Sequence, residues 1–306
     1  AGIGATTSQF GAARVYEDVL KYDPDLVFIE YSVNDNDEAP YERRELFRET
    51  YEGLIRKVLS YRSEPAVILL HSVRYDDGSS EEEMHSEVGR YYSLPSISMK
   101  QTIYPKTLSG EIKRADITPD NLHPNDVGHE LTARVITDII DLIDSEKDIE
   151  EEAYLLPERP LTDNGYEDMK RYNRLNSSPV LDGFIVDTAK QERVRDVFKN
   201  GWYSDRKGDS ITFKIRGGEI GVMYKKTINK PAPVAIAILD GDETSPIILD
   251  ANFDETWGDK AYMTTILHAG QDTEHTLKIS IRDTFENMAS AFYLINVIAG
   301  QLIPKG

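Results

Sequence analysis

The first half of the chain has the hydrophobic pattern of strands alternating with helices. Residues 25–33 (DLVFIEYSV) and 66–73 (AVILLHSV) have continuous apolar middles, which are typical of strands buried on both faces of a parallel sheet. A third, shorter strand is predicted at 95–99 (PSISM). Apolar residues at helical spacing, or strong helical composition, predict helices at about 46–59, 81–93 and 126–147. Strands separated by helices predict a doubly wound parallel-sheet α/β domain.

The pattern changes after the acidic segment 144–154. Residues 156–179 are rich in polar and turn residues and are interpreted as a linker or an irregular edge. From about 180 onward, short alternating segments such as SITFKIRG, EIGVMYKK and HTLKISIRD are separated by Gly, Asp and Asn. This spacing predicts an antiparallel β-sandwich. The predicted domains are therefore 1–155 and 180–306, joined by 156–179.

Composition narrows the classes of partner. The 306 residues include 35 Lys+Arg and 54 Asp+Glu, a net charge of −19, which argues against nucleic acid or an anionic membrane as a partner. A neutral ligand such as a sugar is compatible with this net negative charge. No apolar run approaches the roughly 18 residues that a membrane span needs. The chain has no cysteine, which excludes thiolate catalysis and leaves the cellular compartment open. The oligomeric state is not predicted.

The segment DNLHPND (120–126) places Asp120 three residues before His123, ahead of a predicted helix. An Asp that hydrogen-bonds one imidazole nitrogen fixes the tautomer and leaves the other nitrogen to act as a general base. The alternative is an Asp that caps the helix beside a surface His. The residues alone leave both interpretations open.

Two further segments have the residue types of an oxyanion hole. Asn34, in YSVNDND, follows a predicted strand at the carboxyl end of the sheet, where its amide could stabilise a developing oxyanion by roughly 3–4 kcal/mol. The Gly-rich start AGIGATTS could supply a second donor, the backbone N–H of Gly2. The alternative for both segments is ordinary turn chemistry.

Taken in order, these three segments resemble the SGNH (GDSL-type) hydrolases, whose blocks run Gly-containing loop, x-x-Asn-Asp and Asp-x-x-His-Pro. The resemblance covers about residues 1–150. It implies an esterase in which Gly2 and Asn34 form the oxyanion hole, while Asp120 orients the base His123. Ser32 stands where many members have Gly.

The same resemblance places the nucleophilic serine on a first strand, upstream of the Gly-rich loop. We therefore expect that strand and its serine to precede Ala1, outside the given chain. The chain offers three alternatives that match this position poorly: Ser8, Ser72, and Ser210 in the segment KGDSITF. Ser210 spells the family's Gly-Asp-Ser, but an alternating strand follows it, and it is predicted to lie on that strand's polar face.

A catalytic metal is the other chemistry considered. His71, His85, His123 and His129 accompany many carboxylates, but no HExxH-like pair occurs and the histidines are scattered along the chain. We expect His129 to cap or pack within the last predicted helix of the first domain. No cofactor is predicted for the chemistry.

The second half resembles the accessory β-sandwich modules of carbohydrate esterases. Trp202 and Trp257 could stack on sugar rings, or either could be a core residue of the sandwich. Such modules sometimes hold calcium in Asp/Asn clusters, and the sequence leaves that open. The whole chain thus resembles bacterial acetylesterases that act on acetylated plant polysaccharides or oligosaccharides of the mannan or xylan type. The alternatives are a non-catalytic carbohydrate-binding protein on a degenerate hydrolase scaffold, or a lipase or thioesterase of the same fold.

Overall fold

The computed structural model describes residues 1–38, 43–145 and 154–301. The helices are α1 (Ser8–Asp18), α2 (Ser32–Glu38), α3 (Arg44–Leu59), α4 (Glu82–Tyr91), α5 (Met99–Thr102), α6 (Tyr104–Leu108), α7 (Arg114–Ile117) and α8 (Asp126–Ser145). The strands are β1 (Leu26–Ile29), β2 (Ala66–His71), β3 (Ser96–Ser98), β4 (Lys170–Tyr172), β5 (Val180–Asp182), β6 (Ile185–Val186), β7 (Trp202–Ser204), β8 (Ser210–Gly217), β9 (Glu219–Lys226), β10 (Val234–Leu239), β11 (Ile247–Asp250), β12 (Lys260–Leu267), β13 (Thr273–Asp283) and β14 (Phe292–Gly300). None of the described helices combines the length and apolarity that a membrane crossing requires.

The chain divides into two compact units. The α/β unit comprises the described part of Tyr22–Thr162, and the sandwich unit comprises Ala1–Lys21 together with the described residues from Asp163 onward. The predicted first domain included residues 1–21, but α1 packs against β4 and β14 of the sandwich unit. The reason is its buried side chains: Phe10 is fully buried, and Gln9 Nε2 lies 3.1 Å from Thr265 Oγ1. The predicted limits of the linker stay a prediction.

The α/β unit contains a three-stranded parallel sheet in the order β1-β2-β3, which confirms the predicted strand type. The central strand β2 is almost continuously buried, as its apolar run predicts. The expectation of burial on both faces is wrong for β1, where Leu26 and Phe28 are 41% and 40% exposed. Leu26 and Phe28 are two positions apart and lie on one face of β1, which is partly exposed, whereas Val27 and Ile29 on the other face are buried. Among the described residues β1 pairs only with β2.

The sandwich unit has two antiparallel sheets, which confirms the predicted β-sandwich. One has the order β11-β10-β13-β8-β5, and the other has the order β12-β9-β14-β7-β6 with β4 also paired to β14. Alternate side chains of both sheets turn inward and form one hydrophobic core, as the period of two requires. Its largest fully buried members are Trp202, Phe213, Tyr224 and Phe292.

Candidate active site

Residues 118–125, the loop between α7 and α8, are held by local backbone constraints. The side-chain oxygen of Asn125 accepts from Gly128 N at 3.0 Å and caps the start of α8, while Asn125 N donates to Ile117 O at 2.9 Å. Gly128 has no Cβ, and a Cβ there would clash with the carbonyl oxygen of Ile117. Asn121 adopts φ 67°, a left-handed conformation that Asn tolerates better than most residues. The loop is therefore a defined turn that leads directly into α8.

This turn brings Asp120 and His123 together. Asp120 Oδ2 lies 2.7 Å from His123 Nδ1, and Asp120 Oδ1 accepts from the backbone N–H groups of Leu122 at 3.0 Å and His123 at 2.7 Å. The hydrogen bond with the His123 ring, together with the backbone donors, holds the pKa of Asp120 well below its ordinary value. Because an ionised carboxylate only accepts, Nδ1 of His123 is the nitrogen that donates to it, and Nε2 is the nitrogen left to act as a base. The side chains of His123 and Asp120 are 74% and 50% exposed, so Nε2 is accessible to a reactant.

Asn34 lies on α2, directly after β1, and is half-buried. Ser32, two residues before Asn34, stands where many SGNH hydrolases have Gly, and its contacts show how the larger side chain is accommodated. It is fully buried, and its hydroxyl lies 2.8 Å from Glu30 Oε1 and 3.1 Å from the carbonyl oxygen of Ser72. The hydroxyl thus has polar partners in its buried position, as a buried polar group requires.

Helix α2, which carries Asn34, and the loop that carries Asp120 and His123 both contact residues that follow β2, at the carboxyl end of the parallel sheet. Ser72, next to Ser32, comes directly after β2, and Arg74 pairs with Asp37 of α2 at 2.5 Å. Tyr75 N donates to the carbonyl oxygen of Asn121 in the Asp120–His123 loop at 2.7 Å. Sites of α/β proteins form at this edge. Asn34 and the Asp120–His123 pair therefore share this edge, which is where the sequence predicts Asn34.

Gly2 lies in the sandwich unit, in the exposed loop before α1. A Cβ at Gly2 would meet nothing within 4 Å, so its surroundings do not require glycine. The loop is shaped by Ala5 at φ 55° and by a 2.7 Å hydrogen bond from Thr6 Oγ1 to the carbonyl oxygen of Ile3. The role of Gly2 as an oxyanion donor stays a prediction.

The alternative serines have ordinary structural positions. Ser8 is fully buried at the start of α1, and Ser210 is buried at the start of β8, where it pairs with Asp182 and Ser280. Ser210 lies on the face of β8 opposite the core residues Ile211, Phe213 and Ile215, as predicted, and it is buried there. Ser72 is half-buried, and its carbonyl oxygen accepts from Ser80 Oγ at 2.8 Å.

The two tryptophans differ. Trp202 is buried against Phe213 in an edge-to-face contact, so it belongs to the core, and its predicted sugar contact is corrected. Trp257 is 57% exposed and meets Phe253 edge-on, with ring centroids 5.2 Å apart. Only Trp257 of the pair has a ring surface that a sugar could stack on.

The histidines that appear scattered in the sequence include a buried pair. The rings of His71, at the end of β2, and His85, on α4, have centroids 6.1 Å apart, and His85 Nε2 lies 3.0 Å from Asp35 Oδ2. Sequence reasoning missed this group, although His85 precedes Val88 by three residues on the buried face of α4. His129 is exposed, which corrects the expectation that it packs. Within each unit taken by itself, the described residues bring no three His, Asp or Glu ligand atoms together as a metal centre requires.

Comparisons with known proteins give a match among solved structures. Two crystal structures of a two-domain esterase (CEX) active on acetylated mannans, one co-crystallized with mannopentaose, are 46% identical to this chain. The matches cover 100% and 99% of this chain and 80% of the esterase chain, with TM-scores of 0.93 and 0.94. No protein-family model matches the chain, and no curated protein matches it in sequence.

Proposed function

This chain belongs to the family of two-domain carbohydrate esterases, a class of carboxylic-ester hydrolase, and we propose that it removes O-acetyl groups from mannan-type polysaccharides or oligosaccharides. The observation that carries the proposal is the 2.7 Å contact between Asp120 Oδ2 and His123 Nδ1 at the carboxyl end of the sheet. The substrate is taken from the relative at 46% identity, which is active on acetylated mannans. Acetylated xylan is the alternative within the same reaction class.

In the proposed mechanism His123 is the general base and Asp120 orients it. Nε2 of His123 takes the hydroxyl proton of a serine whose Oγ attacks the acetyl carbonyl carbon. The resulting oxyanion accepts a hydrogen bond from the side-chain amide of Asn34. The bond from carbon to the sugar oxygen then breaks, and His123 returns the proton to that oxygen. His123 then deprotonates a water molecule, which attacks the acetyl carbon of the acyl-serine. The bond from this carbon to serine Oγ breaks, His123 returns the proton to Oγ, and acetate leaves.

We assign the nucleophilic serine to a strand outside residues 1–306 that pairs with the unoccupied edge of β1. One feature of the α/β unit supports this assignment: among its described residues β1 has a partner on one side only. A serine at the end of such a strand would lie at the carboxyl edge of the sheet, which Asn34 and His123 share.

The general-base role is tested by His123→Ala in the full-length natural protein. Loss of a general base typically costs about 10²–10⁴-fold in rate, so we expect at least a hundredfold fall in acetate release from acetylated manno-oligosaccharides. His129→Ala is the matched control, because His129 is an exposed histidine on the adjoining helix. Equal rates for His123→Ala and the natural protein would remove His123 from the mechanism.

The origin of the serine is tested separately by labelling with a fluorophosphonate and locating the modified peptide by mass spectrometry. We expect the label on a serine upstream of Ala1, and no label in the His123→Ala variant. A label on Ser8, Ser72 or Ser210 would contradict the assignment. A protein that takes no label but binds mannan would instead be a non-catalytic carbohydrate-binding protein.

A further inference from the structure

A buried acid–histidine pair lies next in sequence to Asn34. Asp35 on α2 and His85 on α4 are both fully buried, with Oδ2 and Nε2 3.0 Å apart. Tyr51 on α3 stacks on the His85 ring with centroids 3.6 Å apart and planes within 7°. Three helices of the α/β unit therefore meet at this one imidazole.

The two ring nitrogens of His85 have different surroundings. Nε2 lies within hydrogen-bond distance of Asp35 Oδ2, and Nδ1 has no hydrogen-bond partner among the described residues. Burial lowers the pKa of the neighbouring His71 to about 3, so its ring is neutral. The contact therefore joins α2 to α4 through the Asp35 carboxyl group and Nε2 of the His85 ring.

The position of α2 depends on such contacts. The helix has seven residues, too few to be stable in isolation. Its first turn is tied at Ser32, whose carbonyl oxygen accepts from Glu81 N at 2.8 Å, and its exposed side is tied by the Arg74–Asp37 ion pair. Of these tethers, the Asp35–His85 pair is the one next to Asn34, and it is fully buried. A change at His85 is therefore transmitted to Asn34 through a single peptide unit.

We propose that the Asp35–His85 pair is a positioning device for the esterase reaction, which orients α2 so that the Asn34 amide faces the oxyanion. The pair touches neither substrate nor the reacting atoms; it acts through Asn34. The proposal rests on the proposed function, because it requires Asn34 to be an oxyanion donor. His71, Tyr51 and Ser86 complete the group, with Ser86 Oγ 3.5 Å from His71 Nε2.

The test is a double-mutant cycle in the full-length natural protein, with turnover of an aryl acetate as the readout. His85→Phe keeps an aromatic ring against Tyr51 and removes the donor to Asp35. We expect kcat to fall about tenfold to a hundredfold with little change in KM, since a displacement of about 1 Å at a reacting group can cost about 10²-fold. His85→Gln, whose amide can donate to Asp35, is expected to restore most of the rate.

The decisive comparison is made in the Asn34→Ala background, which should itself lower kcat by about 10²–10³-fold. If the pair acts through Asn34, His85→Phe changes kcat there by no more than about twofold. If instead the double variant loses kcat by the product of the two single-variant losses, the two residues act independently and the positioning role is overturned. His275→Phe, which breaks an acid–histidine pair with a 2.7 Å Asp240 contact in the sandwich unit, is the control and should leave kcat unchanged.

The remaining outcomes also decide. If His85→Phe does not fold, Asp35→Asn replaces it in the same cycle, because this variant keeps the side-chain shape and removes the charge. A natural rate in Asn34→Ala overturns the oxyanion role of Asn34, and with it the positioning role. A natural rate in both His85→Phe and Asp35→Asn, with Asn34→Ala impaired, overturns the positioning role alone.

Discussion

Replacing Asp120 by Asn exchanges one carboxylate oxygen for an NH₂ group and removes the charge beside His123. In the natural side chain Oδ1 accepts from the backbone N–H groups of Leu122 and His123, while Oδ2 faces His123 Nδ1. The amide oxygen of Asn would keep the two backbone contacts, so the NH₂ group would face the imidazole. It can only donate, which forces the proton of His123 onto Nε2, the nitrogen that must accept from the serine.

The expected loss of rate in Asp120→Asn follows from these contacts. Loss of the charge-assisted hydrogen bond alone is worth about 1.5–3 kcal/mol, or about tenfold to 150-fold in rate. The reversed tautomer adds to this, and the same substitution in a serine-protease triad costs about 10⁴-fold. We therefore expect Asp120→Asn to lower kcat by about 10²–10⁴-fold, with KM changed far less because Asp120 does not touch the substrate in the proposed mechanism.

The assay is acetate release from acetylated manno-oligosaccharides, with Asp116→Asn as the matched control. Asp116 is an exposed aspartate on α7, four residues before Asp120, and it undergoes the same loss of charge. An Asp120→Asn variant that folds and retains a rate within about twofold of Asp116→Asn would refute the orienting role. In that case Asp120 would be only a turn-forming residue of the loop before α8.

Two further predictions concern the sandwich unit. Trp257→Ala should weaken binding of manno-oligosaccharides about tenfold by calorimetry, equivalent to about 1.4 kcal/mol, and leave aryl-acetate turnover unchanged; unchanged sugar binding would exclude Trp257 from the ligand surface. Burial lowers the pKa of His275, but the hydrogen bonds with Asp240 and the Gln271 carbonyl outweigh it, so the pKa is raised above 6.5. The charged form of His275 therefore stabilises the folded state. This stabilisation is complete below about pH 6.5 and is lost as the pH rises through the folded-state pKa of His275. His275→Gln should therefore lower the urea midpoint more at about pH 5.5 than at about pH 9, and an equal loss at both would contradict the charged pair.

The local features of this protein could be predicted from the sequence. The period of the apolar residues determined the strand and helix types, because a strand or helix exposes the same face at a fixed residue spacing. The Asp120–His123 pair also followed from the sequence, since three residues in one turn place both side chains within hydrogen-bond reach wherever the loop lies. Both depend on geometry that the chain establishes over a few residues.

The tertiary structure decided what depends on distant segments. Asp35 and His85 are 50 positions apart, and only the packing of α2 against α4 brings them into contact. Trp202 and Trp257 are similar as sequence, but one faces the space between two sheets and the other lies on an exposed loop. Helix α1 precedes the α/β unit in sequence. It nevertheless belongs to the sandwich unit, because its apolar side chains pack on β4 and β14. The burial of a side chain is set by the elements that lie against it, and these come from remote parts of the chain.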